Sequence, residues 1–507
     1  MRQGAKRSAG KKREVGSMNQ NFIISYDLGT SGVKVVLVDT AGCVMGTATC
    51  NYPLFVEHEG WAEQDPELYW DGVCKGTVEV IAKCGADPHN AVGMAFSTQW
   101  KGIIPVDKNG KVLHNSIIWL DHRAEDQARR LNAHFGRELF SASDYWPKLL
   151  WLRENHPEVY EAADMIFEAN SFLKWKATGE AVMDISNSFI RSFDPELQGI
   201  YDEFLSFAGM DIHKFPRWAH IPDFVGNVTE KAAGELGIVP GIPVFAGSGD
   251  IPAIAIGSGS SHLGGAHIYF GTSGWVGYSV KHSADELYVS PLDEARDIRI
   301  CAMSSVGLSL NWALERFYRQ ESAQLGDGVF DVVNREMAEI PAGCEGLLAT
   351  PWFYGERPPV GEKARGTYFG LGSHHDRRHM TRAVIEGLCF TLKMRNLYFL
   401  KENGFPAPKE YSAIGGGSLS PVWMQILADV FNAPINVPAD TKHTGAIGTA
   451  YCVLTGLGLC RDFNEAAQKI TILHRYEPIP ENVAIYEKVY ERFEKLFHAV
   501  LPLYEAE

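Results

Sequence analysis

The sequence has no excess of positive charge: 47 lysines and arginines stand against 62 aspartates and glutamates, a formal net charge of −15. Nucleic-acid binding needs a basic surface along a phosphate backbone, so that class of partner is excluded, although a single nucleotide needs only a local site. No Cys-x-x-Cys pair occurs among the nine cysteines (Cys43, Cys50, Cys74, Cys84, Cys301, Cys344, Cys389, Cys452 and Cys460). Their odd number and scatter argue against a zinc site or a disulfide scaffold and fit a reducing cytoplasm. No apolar stretch is long enough to span a bilayer, so neither a transmembrane helix nor a membrane partner is expected. Residues 1–17 (MRQGAKRSAGKKREVGS) lack the apolar core of a secretory signal. They read as a disordered basic tail, or as an over-extended start with Met18 the initiator. What remains is an ordinary globular composition, and 507 residues exceed one ordinary core. Two large domains are therefore expected.

One short pattern occurs twice. Gly29-Thr30-Ser31-Gly32 lies between the β-rich runs Phe22–Tyr26 and Val33–Val38. Gly271-Thr272-Ser273-Gly274 lies between Ile268–Phe270 and Trp275–Tyr278, about half the chain away. Each reads as a strand–turn–strand hairpin whose glycines let backbone N–H groups face inward, with hydroxyl donors beside them. Such a concavity holds a phosphate without a Walker lysine. Further strands are expected at 44–49, 92–98, 103–106, 117–120, 242–246 and 411–414. Helices are expected near 66–83 and 122–135, through most of 148–210, and after Ser420-Pro421. Hairpins need antiparallel neighbours, so both halves read as α/β domains with mixed sheets. The boundary falls near 245–265, giving domains 18–255 and 256–507.

The candidate chemistry sits at strand ends. Asp27, beside the first turn, suits a Mg²⁺-nucleotide, since Mg²⁺ takes few carboxylates plus water and phosphate oxygens; alternatively it hydrogen-bonds its own turn. Lys34 could reach phosphates or be merely solvated. Asp250 reads as a helix N-cap with Pro252 early in the first turn, and also as a general base accepting a proton from an attacking hydroxyl. The two roles are compatible. Gly415-Gly416-Gly417, ahead of Ser420, offers a bare backbone for a flat base, or simply a tight strand-to-helix turn. Gln99-Trp100-Lys101 joins polar groups to an aromatic face, as a sugar requires, or else is a core tryptophan with polar rim residues. Asp121 and Arg123 are similar candidates, with an exposed salt-bridged pair as the plainer account.

In this order, these pieces resemble the FGGY carbohydrate kinases, of the actin-like/sugar kinase/Hsp70 superfold with ribonuclease H-like mixed sheets and a central cleft. The resemblance covers about 21–460. It is carried by Asp27–Gly32, Gly366-Thr367-Tyr368-Phe369-Gly370-Leu371 continuing to His379–Glu386, Pro147–Leu152, Tyr354–Pro358 and Gly445-Ala446-Ile447-Gly448. It implies ATP-dependent transfer of the γ-phosphoryl group to a sugar hydroxyl, with ATP and Mg²⁺ bound between closing domains. Thr30, Ser31, Lys34, Gly271, Thr272 and Ser273 would face the phosphates, Gly415, Gly416, Gly417 and Ser420 the adenine side. Asp27 would serve the metal, Asp250 the reacting hydroxyl, and Gln99, Trp100, Lys101 and Asp121 the sugar. The segments are most similar to xylulokinase-like members, which implies a ketopentose such as xylulose or ribulose as acceptor. A polyol or glycerol kinase of the same family, or a non-catalytic sugar or nucleotide sensor on this fold, are the alternatives. Such members typically carry Gln-Met-His-Gly where this chain has Gln99-Trp100-Lys101-Gly102, and Asn where it has Ile251. Sites built on substrate hydroxyls discriminate strongly, so this swap signals an altered sugar. The expected partner is a small-molecule sugar; a homodimer is compatible with the sequence.

Overall fold

The computed structural model describes residues 20–283 and 290–505. The basic tail expected over 1–17, with Met18, lies outside the described residues. The first sheet is built from β1 (Phe22–Leu28), β2 (Gly32–Asp39), β3 (Val44–Asn51), β4 (Ala91–Thr98), β5 (Phe224–Asn227), β6 (Pro243–Phe245) and β7 (Ser248–Gly249). Its order is β5-β6-β4-β1-β2-β3, with β7 also paired to β4. β1, β2 and β3 form an antiparallel meander, whereas β4 runs parallel to β1 and β6 parallel to β4. The second sheet repeats this scheme with β8 (Ala266–Phe270), β9 (Gly274–Lys281), β10 (Ser290–Asp293), β11 (Arg296–Met303), β12 (Tyr411–Gly415), β13 (Ile435–Pro438) and β14 (Ile472–Tyr476), in the order β10-β11-β9-β8-β12-β13-β14. Here β8, β9 and β11 make the meander, and β12 joins β8 in parallel. The mixed sheets and the duplication follow from the two hairpins: each closes an antiparallel pair, and the parallel neighbours then require crossover helices.

β1 is buried on both faces. Phe22, Ile24 and Tyr26 join a core with Tyr69, Trp70 and Val73 of α1 (Pro66–Cys84). Ile23, pointing the other way, meets residues of a helix from far along the chain, α6 (Thr444–Gly456). Strict alternation sends successive side chains to opposite faces, so a strand covered by helices on both sides reads as nearly continuous apolar sequence. α6 also lies against α3 (Asp250–Gly257). That crossing is made at backbone distance: a Cβ on Gly448 would overlap the Ala253 carbonyl, and one on Gly257 the Thr444 carbonyl. α2 (Tyr145–Asn155) heads the expected helical region, and its Tyr145, Trp146 and Leu149 pack with Phe189 and Phe204 in a separate core.

Several expectations shift. The helix expected from 122 begins at Glu125, and the strand expected over 117–120 contracts to Ser116–Ile117, because Asp121 and Arg123 between them are drawn into a buried ion pair. Asp250 is not the cap of its helix. Gly249 takes that position, and Asp250 is the first helical residue. Pro252 has no N–H to give a capping carboxylate, and Asp250 Oδ1 accepts instead from Ile251 N–H, at 2.9 Å. Among the described residues no helix is long and apolar enough to cross a membrane.

Candidate active site

The parallel strands β1, β4, β8 and β12 deliver their carboxyl ends to the same region, the usual place for a ligand in α/β sheets. Asp27 lies near the end of β1, directly opposite Lys34 in the hairpin register. Lys34 Nζ is 3.5 Å from Asp27 Oδ2 and donates to the Lys442 carbonyl at 3.5 Å. The Asp27 side chain is 18% exposed, so one face of the carboxylate stays open to solvent. Its other side meets the first turn of α6: a Cβ on Gly445 would stand 3.1 Å from the carboxylate atoms, leaving room for little but glycine. Ser25 Oγ donates to the Ala446 carbonyl at 2.5 Å, fixing that approach.

Asp250 shares this locus. Burial, and then the negative charge of Asp27, push its carboxyl up from 3.8 to about 7, against the pull of the Ile251 N–H. The Tyr269 phenol, two residues ahead of Gly271, is pushed up by burial and by the same two carboxylates. The electrostatics thus tie Asp27, Asp250 and the approach to the second hairpin into one site. A carboxyl that titrates near neutrality can take a proton at physiological pH, which a surface aspartate does poorly.

Both hairpins form as expected. The second puts Thr272 and Ser273 at its tip, closed by Gly271 N–H to Ser273 O at 3.0 Å, with Tyr269 stacked on Trp275 at 4.1 Å. Phe270 pairs across to Gly415, which brings Gly415-Gly416-Gly417 alongside this hairpin. Gly415 has φ +86°, and a Cβ there would overlap the Phe270 carbonyl. Only glycine meets both demands. Ser420 caps α5 (Pro421–Phe431), which packs on α4 (Arg377–Asn403), by accepting from Trp423 N–H at 3.2 Å.

At the first hairpin the Thr30 hydroxyl is already engaged: it accepts from Trp119 Nε1 at 3.0 Å and donates to Gln99 Oε1 at 3.2 Å. Ser31 is exposed at the tip. Gln99 is 4% exposed, and its Nε2 donates to Gln64 Oε1 at 2.7 Å. Gln64 in turn donates to the Thr30 carbonyl at 2.7 Å, Tyr69 OH donates to Gln64 Oε1 at 2.9 Å, and Tyr52 OH donates to the Gly29 carbonyl. Gln99 therefore braces the first turn. Gln64, Tyr52, Tyr69 and Trp119 had no local signal, because each acts through a partner distant in the chain.

Trp100 is half-buried against Phe189, ring centroids 5.3 Å apart, and its Nε1 is buried with no partner among the described residues. Lys101 (φ 62°) pairs with Asp144 and lies 4.9 Å over the Trp100 ring. This strained turn is held by Lys148, which is fully buried and donates to the carbonyls of Lys101 and, at 2.9 Å, Ile118. Burial and the nearby charge of Lys101 push the Lys148 ammonium down to about 7. Asp121 requires correction. The pair it makes with Arg123 is not exposed: both side chains are 0% exposed, 2.7 Å apart, and Arg123 also reaches Glu63 at 2.8 Å and stacks 3.7 Å over Trp61. Asp121 Oδ2 also accepts from Ala62 N–H at 2.6 Å. Its carboxylate is spent inside the protein, because a buried charge survives only when paired and hydrogen-bonded.

Two mixed sheets with this duplicated hairpin are found elsewhere. Residues 22–257 match the N-terminal domain, and 266–456 the C-terminal domain, of the FGGY family of carbohydrate kinases. The chain belongs to the FGGY family of carbohydrate kinases. A xylulose kinase of Staphylococcus epidermidis is 31% identical over 496 residues, spanning 95% of this chain and 97% of that one. Among solved structures, a ligand-bound xylulose kinase of Lactobacillus acidophilus superposes with TM-score 0.82 at 24% identity, covering 96% of this chain and 99% of that one. A gluconate kinase from the same organism gives 0.81 at 25% identity with the same coverage. This FGGY member is a phosphotransferase with an alcohol group as acceptor, on the two-domain actin-like fold expected from its sequence.

Proposed function

We propose that the protein transfers the γ-phosphoryl group of ATP to a hydroxyl of a ketopentose such as xylulose or ribulose. The observation that carries the mechanism is Asp250, a half-buried carboxyl held near neutrality beside Asp27 and the second hairpin. Asp250 accepts the proton of the attacking hydroxyl, and the shifted carboxyl is matched to that task. The backbone N–H of Thr30 and the backbone N–H groups and hydroxyls of Ser31, Thr272 and Ser273, with Gly271 and Lys34, hold the phosphates; the Thr30 hydroxyl is spent on Gln99. Gly415, Gly416 and Gly417 lie against the adenine, with Ser420 fixing the helix beyond.

Asp27 fits a Mg²⁺ ligand by its donor set, a single carboxylate with an open face beside phosphate-binding turns. When bound, the ion would neutralise charge on the transferring phosphate. Residues 18–255 form the sugar lobe and 256–507 the nucleotide lobe, with α6 crossing back onto the first; closure excludes water as a competing nucleophile. At the sugar, Trp100 and the Asp144-paired Lys101 are the contacts, while Gln99 and Asp121 act by holding the walls. The xylulose kinase relative spans nearly the full chain and supports the ketopentose reading. The deciding assay is sugar-dependent ADP release over xylulose, ribulose, ketohexoses, pentitols, glycerol and gluconate. Turnover confined to gluconate or glycerol would reject the ketopentose, and no turnover with any acceptor would reject the enzyme.

A further inference from the structure

One buried polar atom against Gly249, the residue before Asp250, has no partner among the described residues. Asn187 follows Asp184 and Ser186 in a tight turn after the short strand Val182–Asp184. Its Nδ2 donates to Asp184 Oδ2 at 2.8 Å. A carboxylate only accepts, so this bond settles which amide atom is nitrogen and turns Oδ1 to the opposite side. Asn187 is 1% exposed, and Oδ1 finds no hydrogen-bond donor among the described residues. The atom lies against Gly249, where a Cβ would stand 3.2 Å away. Gly249 N–H donates to Ser186 Oγ at 2.8 Å, which locks the turn to the residue immediately before Asp250. Asp184 is itself fixed by Ser186 N–H at 3.0 Å and by Lys174 at 3.8 Å. The acceptor oxygen is therefore held rigidly, one residue from the base. Leaving a buried acceptor unmet is costly, and such groups call for a partner that the protein alone does not supply.

We propose that Asn187 Oδ1 accepts a hydrogen bond from a second hydroxyl of the acceptor, next to the one that meets Asp250. The assignment rests on the carbohydrate-kinase reading above and deepens it. An amide oxygen only accepts, so the group opposite must be a hydrogen-bond donor, which on a sugar is an O–H; a carbonyl or carboxylate placed there is rejected. Trp100 Nε1, a donor-only group also buried without a partner among the described residues, belongs to a ring packed on Phe189, two residues along the chain from Asn187. A hydroxyl-rich acceptor meets both demands.

The test pairs a variant with altered substrates. ADP release is measured for the wild type on D-xylulose and D-ribulose, then on the monodeoxy analogues of the better sugar, and the series is repeated with Asn187→Ala. One analogue that keeps the reacting hydroxyl should cost the wild type about tenfold in kcat/KM, since a site built around a hydroxyl rejects the analogue lacking it. Asn187→Ala should lose about the same on the parent sugar and nothing further on that analogue, because the two changes remove one contact. KM for ATP should stay within about twofold, since the contact is to the sugar alone. Additive losses, or an unaltered Asn187→Ala profile, would overturn the assignment. If Asn187→Ala does not fold, Asn187→Ser replaces it. The wild-type series alone also overturns the proposal if every such analogue is turned over within about threefold of the parent. No ADP release on any sugar overturns the kinase reading with it, whereas turnover without this pattern overturns only the contact.

Discussion

Replacing Asp250 by Asn separates two properties that one physical cause joins. The Asp250 carboxyl is raised from 3.8 to about 7 because burial and Asp27 both oppose its charge. The folded protein therefore keeps this proton between pH 3.8 and about 7, where the unfolded chain has already lost it. Stability must fall as pH rises through that window. At about 1.4 kcal/mol per pKa unit the shift has a ceiling of about 4 kcal/mol, and solvent contact at this half-buried group reduces the expected cost to about 1–2 kcal/mol. Asn keeps the shape and can still accept from Ile251 N–H, but it carries no charge. Asp250→Asn should thus match the wild type in melting temperature near pH 4 and exceed it by a few degrees at pH 8. The same variant should lose about three orders of magnitude in kcat, the usual worth of a general base, with ATP binding little changed. In the wild type, kcat/KM for the sugar should climb about tenfold per pH unit below the Asp250 pKa and level above it. The assays are ligand-free thermal melts at pH 4 to 8 and ADP release over the same range. A variant within tenfold of wild-type kcat would refute the base, and a wild type that gains stability on the variant as pH rises would refute the electrostatics.

The remaining predictions probe the walls of the site. Asp121→Asn should destabilise by about 3 kcal/mol, because the buried Arg123 loses its closest counter-charge, while sugar KM stays within about twofold. A stable variant with raised sugar KM would instead make Asp121 a substrate contact. Gly448→Ala drives a methyl into the Ala253 carbonyl and should cost about 1–3 kcal/mol by thermal melt, with kcat falling as the helix carrying Asp250 shifts; an unchanged melt contradicts the close crossing. Lys148→Met strips donors from the Lys101 and Ile118 carbonyls. At about 1–3 kcal/mol for each unmet group, it should lower stability and raise sugar KM while leaving KM for ATP alone, since the turn it supports carries Trp100 and Lys101.

What could be read from the chain and what could not divides along the range of the interactions involved. The two hairpins, the glycine turn at 415–417 and the Ser420 cap are local: glycine tolerance, turn chemistry and capping act over a few residues, and the structure forms each where its sequence indicates. Asp250 was legible as a helix start, yet the Pro252 that marked the helix also removed the N–H that capping would need, so the position moved by one. Gln99 and Asp121 were legible only as polar residues at strand ends. Gln99 is claimed by Gln64 and Thr30, and Asp121 by Arg123 packed on Trp61, partners that no window around either residue contains. Asn187 illustrates the same limit from the other direction. The run Asp184-x-Ser186-Asn187 folds into a self-bonded turn. Its consequence, an acceptor oxygen turned toward Gly249, exists only because β7 pairs with β4 and brings Gly249 against it. Backbone chemistry near a phosphate site repeats and can be recognised, whereas the contacts that select an acceptor are assembled by tertiary pairing. The two glycine-flanked turns are therefore visible in the sequence, whereas Asn187 Oδ1 and Trp100 Nε1 emerge only from the packing around them.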